Sequence, residues 1–102
     1  MLLAENIIIQ AADLVSGDRQ EAYGDTSISF SKIANLWNAY LVNQGVVTDK
    51  PITPHDVALL MILLKMARTQ HGTASFKEDT YIDIAGYAGI AGVLKSLNSK
   101  VK

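Results

Sequence analysis

The sequence predicts an all-α protein, a compact bundle of about four helices around a buried central helix. Apolar residues recur with helical periodicity near the N-terminus and in the middle of the chain. A later segment carries no polar side chain over the eight residues 57–64, and short loops separate the segments. The length of 102 residues indicates one helical domain covering residues 1–102.

The central helix is predicted to run from Pro54 to His71. Thr53 is a side-chain cap, Pro54 fits the first helical position, and Asp56 suits the positive end of the helix dipole. Gly72 is free to adopt the left-handed conformation that ends a helix. A buried strand is the rival interpretation of the apolar run, but the cap and the length favour a helix that is buried on every side.

Three further helices are predicted, over residues 2–15, 29–44 and 77–97. The second has an apolar stripe followed by Gly45 as a C-cap, and we assign its single tryptophan, Trp37, to the core rather than to a ligand platform. The stripe consists of Phe30, Ile33, Ala34, Trp37, Tyr40 and Leu41. Residues 98–102 are expected to fray.

Three glycines interrupt the last predicted helix, at Gly86, Gly89 and Gly92. Glycine costs about 1 kcal/mol in a helix interior, so we expect a compensating contact. Close approach of another helix backbone, within the chain or across a subunit contact, is the usual compensation.

Composition limits the classes of function and partner. Hydrophobic residues make up 49% of the chain and the mean hydropathy is +0.18, so we expect an exposed apolar face covered in a homo-oligomer. A net charge of −1 gives no general attraction for nucleic acid or an anionic membrane. The chain has no cysteine and no recognisable signal peptide, and we expect a cytoplasmic protein.

Four charged residues form the clearest candidate site. Lys65 and Arg68 lie three apart near the end of the central helix, and Asp79 and Asp83 lie four apart near the start of the next. A short loop between antiparallel helices would place the two pairs side by side. The cations could then bind phosphate and the acids Mg²⁺, while the alternative is a structural network of salt bridges.

Arg19 and Tyr23 stand beside the turn residues Gly24 and Asp25. They could hold a phosphate and a flat ring, although a polar loop with a packed tyrosine is the simpler interpretation. The other standard arrangements are absent from the sequence, including a glycine-rich phosphate loop, a His–Cys cluster and a metalloprotease motif.

Several motifs together resemble a family of small phage and prophage proteins of unknown function. The motifs are Arg19-x-x-x-Tyr23-Gly24-Asp25, Ile33-Ala34-x-Leu36-Trp37-x-Ala39-Tyr40, Thr53-Pro54-x-Asp56-Val57-Ala58-Leu59-Leu60-Met61, Leu64-Lys65-x-Ala67-Arg68 and Asp83-Ile84-Ala85-Gly86-Tyr87-Ala88. The resemblance covers the chain from Ala11 to Leu94 and implies a phage-encoded protein acting in the bacterial cytoplasm.

The pattern is also similar, more distantly, to the all-α nucleotide pyrophosphohydrolases of the MazG and dimeric dUTPase kind. That similarity implies a helical oligomer dependent on Mg²⁺, in which Asp83 is the last acid of a set of four and Asp79 or Glu78 the preceding one. The earlier acid pair of that family is missing, because residues 29–41 contain neither Asp nor Glu.

We therefore predict a phage-encoded protein that binds a nucleotide or nucleotide-derived ligand, and could sequester a signalling nucleotide of the host. No catalytic residue is assigned. The predicted ligand-binding residues are Arg19, Tyr23, Lys65, Arg68 and Tyr87, with Asp79 and Asp83 as orienting or Mg²⁺-binding groups. The alternatives are a reduced Mg²⁺-dependent pyrophosphohydrolase and a protein-interaction module without a small-molecule site.

Overall fold

Four α-helices make up the regular structure that is described, and no strand occurs among those residues. The computed structural model describes residues 1–16, 25–70 and 76–101. The helices are α1 (Ala4–Leu14), α2 (Thr26–Asn43), α3 (Pro54–Thr69) and α4 (Glu78–Val101). The predicted all-α fold of about four helices is confirmed.

Helices α3 and α4 form the central pair of the bundle. They have the most extensive contact, while α1 packs on α4 and α2 packs on α3. The buried apolar side chains are mostly small, which lets the helix backbones approach one another closely. They are Ala11, Ala34, Val57, Ala58, Ile82, Ala91 and Leu94.

The start of α3 is a reciprocal capping arrangement. The Thr53 hydroxyl accepts a hydrogen bond from the Asp56 backbone N–H at 3.2 Å, and the Asp56 carboxylate accepts one from the Thr53 N–H at 3.0 Å. Pro54 occupies the first turn, as predicted. The helix ends at Thr69 with Gln70 as its C-cap, and the predicted stop at His71 and Gly72 lies outside the described residues.

Helix α3 is buried on one side only within the isolated chain. Val57 and Ala58 are 0% exposed, whereas Leu59, Leu60 and Leu63 are 40%, 39% and 58% exposed. The expectation of burial on every side is therefore wrong for a single chain. The physical reason is that α4 and α2 cover only part of the circumference of α3.

Helix α2 begins three residues before its predicted start. The Asp25 carboxylate accepts hydrogen bonds from the backbone N–H and the hydroxyl of Ser27, both at 2.8 Å, and so caps the helix. At the other end, Gln44 is the C-cap and Gly45 follows with φ +85°, as its predicted role requires.

Most of the predicted apolar stripe of α2 is buried or half-buried, including Ala34 and Trp37. Tyr40 is 64% exposed, so its assignment to the packed stripe is wrong. It lies at the edge of that stripe, where the side chain turns to the solvent.

A side-chain amide fixes the connection between α2 and α3. Asn38 donates a hydrogen bond from Nδ2 to the backbone oxygen of Ile52 at 2.9 Å and accepts one at Oδ1 from the N–H of Ile52 at 2.8 Å. The chain is thereby held to α2 just before the cap of α3.

Helix α4 extends beyond its predicted end at Leu97 to Val101, because no glycine or proline follows Gly92. Of its glycines, only Gly86 is closely approached. A β-carbon built there would lie 3.3 Å from Cγ1 of Val15, whereas Gly89 and Gly92 face open space. The expected compensating contact is therefore present for Gly86, through a side chain, and absent for the other two within the described residues.

Candidate functional site

The site is centred on an ion pair between α3 and α4. Lys65 Nζ lies 2.9 Å from Asp83 Oδ2, and the two side chains are 16% and 29% exposed. Lys65 is in the C-terminal half of α3 and Asp83 in the N-terminal half of α4, so the ion pair lies towards the connected ends of the two helices. The structure thus brings together one cation and one acid of the predicted group.

Arg68 and Asp79 extend the site towards the connection between these helices. Each lies about one helical turn from a member of the ion pair, and both side chains are exposed. Neither side chain forms an ion pair or a hydrogen bond with another residue of the described ranges. An unpaired guanidinium next to a paired ammonium is suited to an anionic ligand, because a guanidinium can donate two parallel hydrogen bonds to two phosphate oxygens.

Tyr87 continues the same face of α4, four residues after Asp83. Its side chain is half-buried, and its ring centroid lies 6.3 Å from that of Phe30 at an interplanar angle of 37°. Phe30 is a neighbour that sequence reasoning did not assign to the site. The only signal for it was its membership of the apolar stripe of α2.

The hydrogen bond between Gln10 and Glu78 was also not predicted. Gln10 Nε2 donates to Glu78 Oε2 at 2.8 Å and ties α1 to the first residue of α4. The two residues are 68 positions apart in the sequence, so no local pattern could indicate their contact.

Arg19 and Tyr23 lie outside the described residues, and their part in the site stays a prediction. The binding of Mg²⁺ by this site also stays a prediction. Within residues 1–16, 25–70 and 76–101, no group of three or more His, Cys, Asp or Glu side chains could hold a metal ion. Asp79 and Asp83 alone would leave most of the coordination of Mg²⁺ to water or a ligand.

A family model described as "Domain of unknown function (DUF6378)" matches residues 6–95 of the chain. The chain belongs to the DUF6378 family. The match includes every residue of the predicted site, and it confirms the resemblance to small phage proteins of unknown function. The distant resemblance to pyrophosphohydrolases stays a prediction.

Two phage proteins are similar to the chain in sequence. The chain is 42% identical over 85 residues to the Gene 55 protein of Mycobacterium phage L5, covering 83% of this chain and 49% of the relative. It is 40% identical over 87 residues to the Gene 55 protein of Mycobacterium phage D29, covering 85% and 52%. The chain therefore spans about half the length of these relatives.

No solved structure matches this DUF6378 chain. None of the helices in the described ranges has the length and hydropathy that a membrane span requires.

Proposed function

We propose that the chain binds a nucleotide or nucleotide-derived ligand at the polar face shared by α3 and α4. The observation that supports this most is the ion pair between Lys65 and Asp83, which fixes a largely covered ammonium group beside the exposed Arg68. A phosphate at this place would interact with the fixed positive charge of Lys65 and would form a bidentate hydrogen bond with Arg68.

The acids and the tyrosine contribute to the same proposal. Asp83 holds Lys65 in place, and the exposed Asp79 is available to accept hydrogen bonds from a sugar or base. One side of the Tyr87 ring is engaged by Phe30, so Tyr87 would present its hydroxyl and its remaining face to the ligand. Arg19 and Tyr23 would complete the pocket.

In this proposal the protein sequesters its ligand rather than converting it. Sequestration of a host signalling nucleotide suits a site in which Arg68 is free for phosphate and only two acids, Asp79 and Asp83, are present among the described residues. A Mg²⁺-dependent pyrophosphohydrolase would need more oxygen ligands than Asp79 and Asp83 supply. A protein-interaction module is the alternative in which the same ion pair is purely structural.

The test is thermal unfolding against nucleoside phosphates and cyclic nucleotides, each with and without Mg²⁺. A ligand that binds only the folded state stabilises it by about 2.7 kcal/mol at one hundred times its dissociation constant. We expect one class of nucleotide to raise the Tm, and we expect the compound to be recovered intact. Release of phosphate or pyrophosphate would instead establish the hydrolase, and no shift with any compound would favour the interaction module.

Arg68→Glu locates the site. Because Arg68 is exposed and makes no described contact, the variant should keep the helical circular dichroism while losing the nucleotide-induced shift. Lys32→Glu is the matched control, since Lys32 is an exposed cation on α2. An unchanged shift in Arg68→Glu would contradict the proposed site.

A further inference from the structure

We infer that two copies of this chain associate through the solvent-facing side of α3, with the two α3 helices antiparallel about Leu63. The exposed apolar residues on this side form the outer stripe of α3. They are Leu59, Leu60, Leu63, Met66 and Ala67, whose spacings of one, three and four positions place them on one side of the helix. This inference is independent of the proposed nucleotide site, which lies on the opposite side of α3.

The outer stripe is both apolar and exposed. Leu63 is 58% exposed and Met66 is 42% exposed, with Leu59 and Leu60 at 40% and 39%. Lys65 is the only charged residue between positions 57 and 67, and it turns inward to Asp83. No charge therefore interrupts the stripe, whereas a surface helix of a monomer normally carries polar residues on this side.

The accessible area supports a protein partner of this kind. The isolated chain exposes 7578 Å², and a folded monomer of 11.0 kDa exposes about 5600 Å². The outer stripe contributes part of this excess, together with other exposed apolar side chains such as Ile8, Leu36 and Val93. An interface of standard size buries roughly 800 Å² on each partner, so a dimer would cover the outer stripe together with neighbouring surface.

The order of residues in the stripe indicates a second copy as the partner. Leu63 lies midway between Leu59 and Ala67, and also midway between Leu60 and Met66. In an antiparallel pair with two-fold symmetry, Leu63 would meet its own counterpart, and Leu60 would meet Met66 of the other copy. A self-complementary patch of this type is what an isologous dimer requires.

Size-exclusion chromatography with light scattering tests the inference on the 102-residue chain. We expect a particle of twice the 11.0 kDa chain mass at micromolar concentration, and loss of that dimer in Leu63→Glu. Two carboxylates would then oppose each other at the symmetry axis. Leu36→Glu is the matched control, because Leu36 is 70% exposed on α2 and outside the stripe, and it should stay dimeric.

Mixing Leu63→Glu with Leu63→Lys tests the antiparallel register. Opposite charges would meet at the axis, so the mixture should recover the dimer mass that each variant alone has lost. Failure of the mixture to recover it, together with loss of the dimer in both single variants, would contradict the register.

Disulfide cross-linking tests the proposed dimer even if the charged variants fail to fold. The chain has no cysteine, so Leu63→Cys introduces a single thiol. Facing positions on packed helices bring Cα atoms to roughly 5 Å, which a disulfide spans. We expect covalent dimers of Leu63→Cys under mild oxidation and monomers of Leu36→Cys.

Three results would overturn the inference: a monomeric wild-type chain, an unchanged dimer in Leu63→Glu, or equal cross-linking of the two cysteine variants. A monomeric chain would assign the outer stripe to another occupant. The additional length of the phage relatives, or a separate protein, would then be the candidate.

Discussion

Lys65 and Asp83 join the two central helices through an ion pair of 2.9 Å in which both side chains are less than one-third exposed. No polar or charged side chain is fully buried among the described residues, so the charges of this pair are partly covered rather than enclosed in the core. It sits at the boundary between the apolar core and the proposed ligand site.

A double-mutant cycle measures what this pair contributes to stability. Lys65→Met and Asp83→Asn should each lower the free energy of unfolding, because each leaves its partner uncompensated in a partly covered position. The coupling energy should be about 1–2 kcal/mol, as for other residues in direct contact. Denaturant unfolding at one fixed protein concentration gives these values. A cycle on Lys32 and Asp49, which form no ion pair, should give a coupling near zero.

Truncation of Val57 tests the packing between the helices. Among the described residues, Val57 is the largest side chain with no exposure. Val57→Ala removes two methyl groups and leaves a cavity there. We expect a loss of about 2–3 kcal/mol in the free energy of unfolding. Val47→Ala makes the same chemical change at a position that is 94% exposed, and it should alter stability by less than about 0.5 kcal/mol. Equal losses would show that Val57 is not in a packed core.

Removal of the Thr53 hydroxyl tests the cap of α3. Thr53→Ala removes the oxygen that accepts the Asp56 N–H, and it should destabilise the protein by about 1 kcal/mol. Thr53→Ser keeps a hydroxyl at the same place and should retain most of the stability. Thermal unfolding of the two variants distinguishes loss of the hydrogen bond from loss of the methyl group. A larger effect of serine than of alanine would contradict the capping role.

The glycines of α4 give a paired prediction. Gly89→Ala fills open space and should raise the free energy of unfolding by about 1 kcal/mol, because alanine is the better helix former. Gly86→Ala should gain less, or should destabilise, since its β-carbon would lie 3.3 Å from Val15. Combining Gly86→Ala with Val15→Ala should reduce the difference if that contact is the cause. Chemical denaturation of all four proteins provides the comparison.

Acid should weaken the start of α2. The hydroxyl of Ser27 and then its backbone N–H lower the pKa of Asp25 below its ordinary value of 3.8. The carboxylate therefore contributes its full stabilisation above pH 3.8, and that contribution is lost as the pH falls through the lowered pKa. Asp25→Asn keeps a capping oxygen without the titration.

The measurement is the Tm of the wild-type chain minus that of Asp25→Asn between pH 7 and pH 2. The difference should be constant near neutrality and should shrink below pH 3.8, because only the wild-type cap becomes protonated. A difference that stays constant to pH 2 would rule out Asp25 as the titrating cap.

Local sequence signals were sufficient to predict the helices and some of the positions at which they begin and end. Thr53, Pro54 and Asp56 defined the start of α3, and Gly45 followed α2 in the left-handed conformation, because caps and turns depend on residues close in sequence. The start of α2 was misplaced for a similarly local reason. Asp25 was assigned to a turn, whereas its carboxylate caps the helix.

Contacts between helices were predictable only where spacing and loop length restricted them. Lys65 and Asp83 were expected to be neighbours because a short connection joins antiparallel helices at that end. The partners Phe30 and Tyr87, or Gln10 and Glu78, come from segments far apart, and periodicity says which side of a helix is apolar but not what it meets.

By itself, the sequence determined the helical class, the four helices of the described residues, and the excess of apolar residues on α3, because these follow from local propensity and periodicity. Tertiary structure alone decided how that apolar surface is divided. It placed Val57 and Ala58 in the core and left Leu59 and Leu63 at the surface. The physical reason is that a helix with apolar residues on every side can bury only the arc that its neighbours cover, and the positions of neighbours depend on the whole chain.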